Sequence, residues 1–385
     1  MSTKYYYAAL LFFSSLAQAG VGVIEPKDSY GVNFKCNGST ASIKHIEAYM
    51  ATLGLKPSWL KITEVPNELL IQLKPELGTE STLDISRNDI FDVSADIVEL
   101  LDPRLAPRQV ATVSKKEIML ALLHPGRLTE FTGEDCGLGQ LKDNVGVRQL
   151  TVAWAQTLNY GWPEGGPAVW NDKYWTKGNP NAGVDLHVAL VDMVINPSEY
   201  SIGCYTAAKM VIAASALDYY TRVKKDSSQA KAVHDTLMID NDPLVDIEPG
   251  LTWSFEATYD AADKAIPGKI LVLQLGVSPM NFVPGDWLYL LNTDKVSYEK
   301  TGYEGSNAIY LGFNKFSDYY NDHEHSFNFQ QKVHEVFQWR HGVFSRSRDA
   351  LKVIPLTATD YTALSKSPSE SGLLLPHRLV PRPVP

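Results

Sequence analysis

The sequence predicts an α+β fold: a buried helix opening on Cys204 packed on an antiparallel sheet, with an N-terminal extension in front of it. Ala207, Met210, Val211, Ala214 and Leu217 recur at helical spacing behind a loop marked by Pro197, Ser198 and Gly203. Short runs rich in branched and aromatic apolar residues follow, at 270–274, 287–291 and 308–311, and these read as strands. Helix first and strands after is the order of an α+β fold. Cys204 then falls on the first turn of its helix, where unpaired backbone N–H groups favour a thiolate over a thiol. The plainer reading of Cys204 is a small buried hydrophobe.

The first residues come ahead of any fold. Lys4, an apolar run over 5–13 and the small residues Ala17 and Ala19 form the pattern of a signal peptide cut after Ala19, so the mature chain is expected to be secreted or periplasmic. The run is too short to span a bilayer, and no later stretch is long and apolar enough. At 385 residues, 44% hydrophobic and 21% charged, the chain has the balance of a folded protein with a sizeable core. Its net charge of −9 argues against nucleic acid and anionic membrane surfaces as partners.

An extension is expected over 20–130, read as a scaffold packed on the catalytic domain or, functionally, as a substrate-binding or regulatory extension of it. Ile43, Ile46, Met50 and Leu53 mark a helix over 42–53, and 68–73 and 93–101 are further short elements. A helix over 115–123 stops at His124-Pro125-Gly126. The catalytic domain is expected over 131–355. It begins with a helix over 147–158, and Trp154, Trp162, Trp170 and Trp175 sit in or beside Gly/Pro-rich loops. Such tryptophans either line a cleft for a peptide or glycan or fill a loop-rich core. A helix is read over 183–194 and a short helical element over 230–234, with a strand over 237–239. Residues 335–339 end a further helix, stopped by Arg340-His341-Gly342. From 356 to 385 periodicity fades into a Pro-rich stretch that reads as a flexible tail.

Chemistry narrows the reading. Three cysteines, Cys36, Cys136 and Cys204, leave one thiol unpaired in an oxidising compartment. Cys36 and Cys136 both look like loop cysteines and make the economical disulfide, with Cys204 free; a redox-sensitive Cys136–Cys204 bridge is the alternative. A cysteine opening a buried helix, then strands, then a histidine, is the chain order of papain-like and NlpC-type peptidoglycan-amidase-like cysteine enzymes. The base of such a site must come from His323 or His325, which share a face if the segment is extended. No Cys-x-x-Cys or His-Glu-x-x-His spacing marks a metal site, and no nucleotide loop is evident, so no cofactor is expected.

More narrowly, Gly203-Cys204 with Thr206-Ala207, the helix end Leu217-Asp218, Gly285-Asp286 with Leu288-Tyr289, and Gly305 with Asn307 through Leu311-Gly312 resemble the bacterial protein-glutamine gamma-glutamyltransferases of the spore-coat transglutaminase type. The resemblance runs over roughly 197–342. It implies a Cys-His acyl transfer between a glutamine of a protein or peptide substrate and an amine donor. Counting back from 337–340 places the family histidine nearest His323. Asn307 matches directly and is expected to orient the imidazole. The resembling enzymes carry a glutamate just before that asparagine and another just before the cysteine. Here Ser306 and Gly203 stand in those places, with Glu304 two residues upstream of Ser306 as the nearest carboxylate. The other readings are a cysteine amidase or peptidase of cell-wall peptides and a non-enzymatic surface protein on the same fold.

Overall fold

The computed structural model describes residues 30–36, 43–100, 108–133, 136–164, 166–239, 256–257, 271–322, 326–344 and 353–381. The expected signal peptide and the two histidines at 323 and 325 lie outside the described residues. The first region holds β1 (Gly31–Cys36), α1 (Ile43–Thr52), β2 (Leu60–Val65), β3 (Glu68–Leu73), β4 (Asp96–Leu100), β5 (Arg108–Thr112), α2 (Lys115–Leu123) and β6 (Leu128–Gly133). Its sheet runs β2-β3-β1-β6, with β6 parallel to β1, and β4 and β5 form a separate hairpin. Ser114 caps α2 by accepting from the Glu117 N–H, and the helix is buried from Glu117 to Leu123. The boundary read at 130 cuts through β6, so the region ends with that strand.

Next come α3 (Leu138–Ala155), the two-residue strands β7 (Trp175–Thr176) and β8 (Asn179–Pro180), α4 (Leu186–Ile195), α5 (Cys204–Asp218) and α6 (Ser227–Ile239). Tyr205 to Asp218 of α5 are all buried. With buried residues on every side the helix must be covered all round, and α3, α4, α6 and a strand of the main sheet do so. The strand read over 237–239 is instead the last turn of α6. Val233 and Leu237, one turn apart, bury the same helical face, and that packing overrides the strand preference of a short branched run.

The third region contains β9 (Glu256–Ala257), β10 (Leu271–Leu275), β11 (Trp287–Leu291), α7 (Lys295–Tyr298), β12 (Gly305–Gly312), β13 (Lys315–Ser317), β14 (Ser326–Asn328), α8 (Phe329–Arg340), α9 (Ala358–Leu364) and β15 (His377–Pro381). They build a seven-stranded sheet ordered β14-β13-β12-β11-β15-β10-β9, antiparallel except at β9. The two faces of β12 serve different cores. Ile309 and Leu311 join the α3–α5 core, whereas Ala308 and Tyr310 pack with Val333, Val336 and Phe337 of α8.

The expectation of a flexible tail is corrected here. Thr357 and Asp360 close a capping box on α9, and β15 inserts between β10 and β11, pairing Leu379 with both Leu273 and Trp287. Leu373, Leu374 and Leu379 are buried. Proline content suggested a tail, but Pro376 precedes the strand and Pro381 is its last residue, so neither interrupts the ladder.

The extension and the third region are joined through buried polar groups. Arg127 donates through Nη1 to Asp286 Oδ1 at 3.0 Å, and Arg148 of α3 donates to the same oxygen at 2.8 Å. All three side chains are at most 1% exposed. The Val283 N–H adds a further bond to Asp286 Oδ2 at 2.8 Å. Burial pushes the Asp286 carboxyl up, but the two guanidiniums outweigh it and hold it below the usual carboxylate range. Gly285 beside it has φ of 85°, and a Cβ there would lie 2.9 Å from the Arg148 backbone, so only glycine lets the chain pass. Cys36 and Cys136 form the disulfide that the thiol count pointed to, tying β1 to the turn before α3. Among the described residues no helix is long and apolar enough to cross a membrane.

Candidate active site

Cys204 is the first residue of α5, after Gly203 in extended conformation, which has no side chain to cap that end. Its N–H groups are therefore left to whatever occupies the space before them. The approach to the helix is fixed by backbone bonds from two other stretches. Gly161 N donates to Tyr200 O at 3.0 Å, and Val169 and Ser201 exchange bonds of 2.8 and 3.1 Å. Tyr160 N in turn donates to Tyr319 O at 2.8 Å, which joins the end of α3 to the chain after β13. Asp192 of α4 steadies the same loops, accepting from the Asn171 amide at 2.8 Å and the Tyr200 hydroxyl at 2.7 Å.

The thiol is free and half-buried. It faces a small pocket whose walls include Trp162, Ser306, Asn307, Asp318, Tyr319, Tyr320 and Lys332. Asn307 Nδ2 lies 3.6 Å from Cys204 Sγ, and Asn307 Oδ1 accepts from the Trp287 indole N–H at 2.9 Å. Trp287 stands opposite Ile309 and Tyr289 opposite Asn307, so Trp287 and Asn307 are diagonal neighbours on the face of the sheet that α5 covers. Trp287 also meets the ring of Tyr205 edge-on at 5.3 Å, the residue directly after the cysteine.

Of the residues singled out in the sequence, the structure brings Cys204 and Asn307 together. Asn307 was expected to orient an imidazole; its amide meets the sulfur itself. Glu304 does not join them. It precedes β12, its Oε1 accepts from Gly302 N at 3.0 Å, and its backbone carbonyl accepts from Asn292 N at 3.0 Å. His323 and His325 lie outside the described residues, which stop at Asp322 and resume at Ser326. Among the described residues no histidine lines the pocket.

Other residues of the pocket were not legible beforehand. Ser306 points to the α8 side of β12, where Lys332 Nζ reaches its Oγ at 3.2 Å and pairs with Glu335 at 3.1 Å. A lysine–glutamate pair thus lies beside the position where the resembling enzymes have a glutamate. Tyr319 is buried, and burial pushes its hydroxyl well above the ordinary range; Ser317 opposes that rise and the charge of Cys204 adds to it. The tryptophan-rich stretch divides between the two roles weighed for it. Trp154 and Trp175 are buried core, with the Trp154 indole donating to Asp218 at 3.1 Å, whereas half-buried Trp162 lines the thiol pocket and meets Tyr320 edge-on.

No curated protein matches the chain. Among solved structures the chain is similar to the transglutaminase from Geobacillus stearothermophilus (without C-terminal extension), at 19% identity with a TM-score of 0.40, over 64% of this chain and 94% of that one. The family model described as protein-glutamine gamma-glutamyltransferase matches residues 137–336. That span starts at the N-cap of α3, takes in Cys204, Trp287 and Asn307, and ends within α8. It covers more than half of the sequence, and the chain belongs to the protein-glutamine gamma-glutamyltransferase family.

Proposed function

We propose that this protein is an exported cysteine acyltransferase acting on glutamine side chains of proteins or peptides, with Cys204 as nucleophile on a papain-like core. The observation that carries the reading is the free Cys204 thiol at an uncapped helix N-terminus with the Asn307 amide against its sulfur. Both groups favour a thiolate, by partial positive charge and by a direct N–H donor. In the first half-reaction Sγ attacks the γ-carboxamide carbon, the C–N bond breaks, and ammonia leaves with a proton from an imidazolium. In the second, an amine attacks the thioester, gives its proton back to the imidazole, and releases the thiolate with an isopeptide bond formed. Water in place of the amine gives deamidation.

His323 is the proposed base, with His325 as the alternative two residues on. Export is supported by the leader pattern over 1–19 and by the Cys36–Cys136 disulfide, a bond that persists in oxidising compartments. The test is mass spectrometry of a glutamine peptide incubated with a primary amine. Amine incorporation supports transfer and a gain of about one mass unit supports deamidation. Backbone cleavage would replace this reading with the peptidase. Cys204→Ala should abolish every product, and His323→Ala should lower the rate by about 10² or more while His325→Ala has little effect.

A further inference from the structure

Side-chain amides carry an ambiguity that bears on any thiol beside them: one end donates and the other accepts, and a half-turn about χ2 exchanges the two. At Cys204 the outcome decides whether the thiolate meets an N–H or a carbonyl oxygen, attraction or repulsion. The neighbour that settles it is Trp287. An indole nitrogen is a donor only, so the Asn307 atom 2.9 Å from Trp287 Nε1 must be the oxygen, and the NH₂ group must face the sulfur. Asn307 is 7% exposed and Trp287 1%, which leaves little room for water to replace the indole.

We infer that Trp287 is a positioning residue for the acyl-transfer reaction: its indole N–H locks the Asn307 amide with the donor end against Cys204, so that the sulfur meets an N–H and not a carbonyl oxygen. The inference rests on the proposed role of Cys204, but its first readout is the thiol and not the transfer product. Trp287 is well placed for the task. It is covered on one side by Tyr205, its backbone pairs with Ile309 and Leu379 on the two neighbouring strands, and Asp286 just before it is fixed by Arg127 and Arg148. Without the indole N–H, the amide gains nothing from keeping its oxygen toward position 287 and is free to turn.

The test is the rate of Cys204 alkylation by iodoacetamide as a function of pH, on the full-length oxidised protein, whose other two cysteines are paired. Trp287→Phe keeps an aromatic ring against Tyr205 and removes only the donor. Its alkylation in mildly acidic buffer should be about tenfold slower than that of the wild type, as expected for losing a donor to a charged acceptor. Asn307→Leu should slow it at least as much. Because Trp287 acts through Asn307, Trp287→Phe/Asn307→Leu should match Asn307→Leu alone, whereas a general packing role would add the two effects. A Trp287→Phe curve superimposed on the wild-type curve, or additive shifts in the double variant, would overturn the inference. Should Trp287→Phe fail to fold by circular dichroism, Trp287→Leu, which also removes the indole donor, decides by the same two criteria. Amine incorporation by the wild-type enzyme is scored separately, so its absence sinks the proposed function and leaves the alkylation result to judge the lock.

Discussion

Replacing Asp286 by Asn tests a buried carboxylate held between two buried guanidiniums. The carboxylate is fully buried between Arg127 and Arg148 and takes a further bond from the Val283 N–H. Removing one partner of a buried ion pair costs about 3–5 kcal/mol, because the charge left behind can neither be solvated nor easily lose its proton. Here two guanidiniums are left facing each other. An Asn oxygen retains one of the neutral-strength bonds, so a loss of about 4 kcal/mol is expected, set against a typical net stability of about 5–15 kcal/mol. Urea unfolding followed by tryptophan fluorescence should show the midpoint falling with the slope unchanged. A second variant separates charge from packing: adding Arg148→Met to Asp286→Asn removes one of the stranded cations, so the double variant should be no less stable than Asp286→Asn alone. The pH dependence has a definite sign. A carboxyl held below its unfolded value stabilises above that value and loses its contribution as pH falls through the folded one, so the wild-type advantage over Asp286→Asn should shrink only in acid, below about pH 4. A loss under about 1 kcal/mol at neutral pH, or a double variant less stable by the sum of the two single effects, would refute this account.

Glu117 should give the opposite pH signature. It is buried on α2, its Oε1 accepts from Phe313 N at 2.8 Å in the β12–β13 turn, and its Oε2 has no hydrogen-bond partner among the described residues. Burial raises its carboxyl from 4.5 to about 7, against the lowering effect of the Phe313 N–H. Between those values the folded state holds more protons than the unfolded one, so stability should fall as pH rises across the window, by at most about 1.4 kcal/mol per unit. Glu117→Gln should flatten that slope in urea midpoints taken from mildly acidic to neutral pH; an unchanged slope excludes Glu117 as its source. The Cys36–Cys136 bridge closes a separation of 100 residues, which in the chain-entropy view stabilises by about 4–5 kcal/mol. Full reduction should lower the urea midpoint accordingly, and thiol titration should count three free cysteines after reduction against one before. A midpoint unmoved by complete reduction rules out a stabilising bridge.

What could be read in advance follows the range of the interactions concerned. The helix read over 115–123 and the strand over 287–291 coincide with α2 and β11, because each is bounded by local signals, such as the Ser114 cap. Cys204 was placed on the first turn of its helix for the same reason. The misread elements are those whose conformation is decided by a distant partner. Residues 237–239 have strand-forming side chains but belong to a helix packed in the α5 core, and 377–381 have the composition of a tail but find their ladder at Leu271–Leu275. The site shows the same division. Asn307 could be named from its motif, whereas the diagonal step from Trp287 depends on a strand register that composition does not reveal. The arginines on Asp286 are 138 and 159 residues away, beyond any spacing rule.

These distant partners bear on where the catalytic unit begins and ends. The matched family span, 137–336, contains Cys204, Asn307 and Trp287. It leaves out Arg127, one of the two guanidiniums hydrogen-bonded to Asp286, and Leu379, which pairs with Trp287 on the side away from Ile309. It also leaves out Cys36 and Glu117, the first tying β1 to the start of α3 and the second bracing the turn between β12 and β13. Restricted to the matched span, β11 would be an edge strand of its sheet half, with unpaired backbone beside Trp287 and one guanidinium fewer on the residue before it. Since the orientation of the Asn307 amide depends on where the Trp287 indole stands, the N-terminal extension and the C-terminal strand act on the thiol through β11. The strand that carries Trp287 is where their contacts meet.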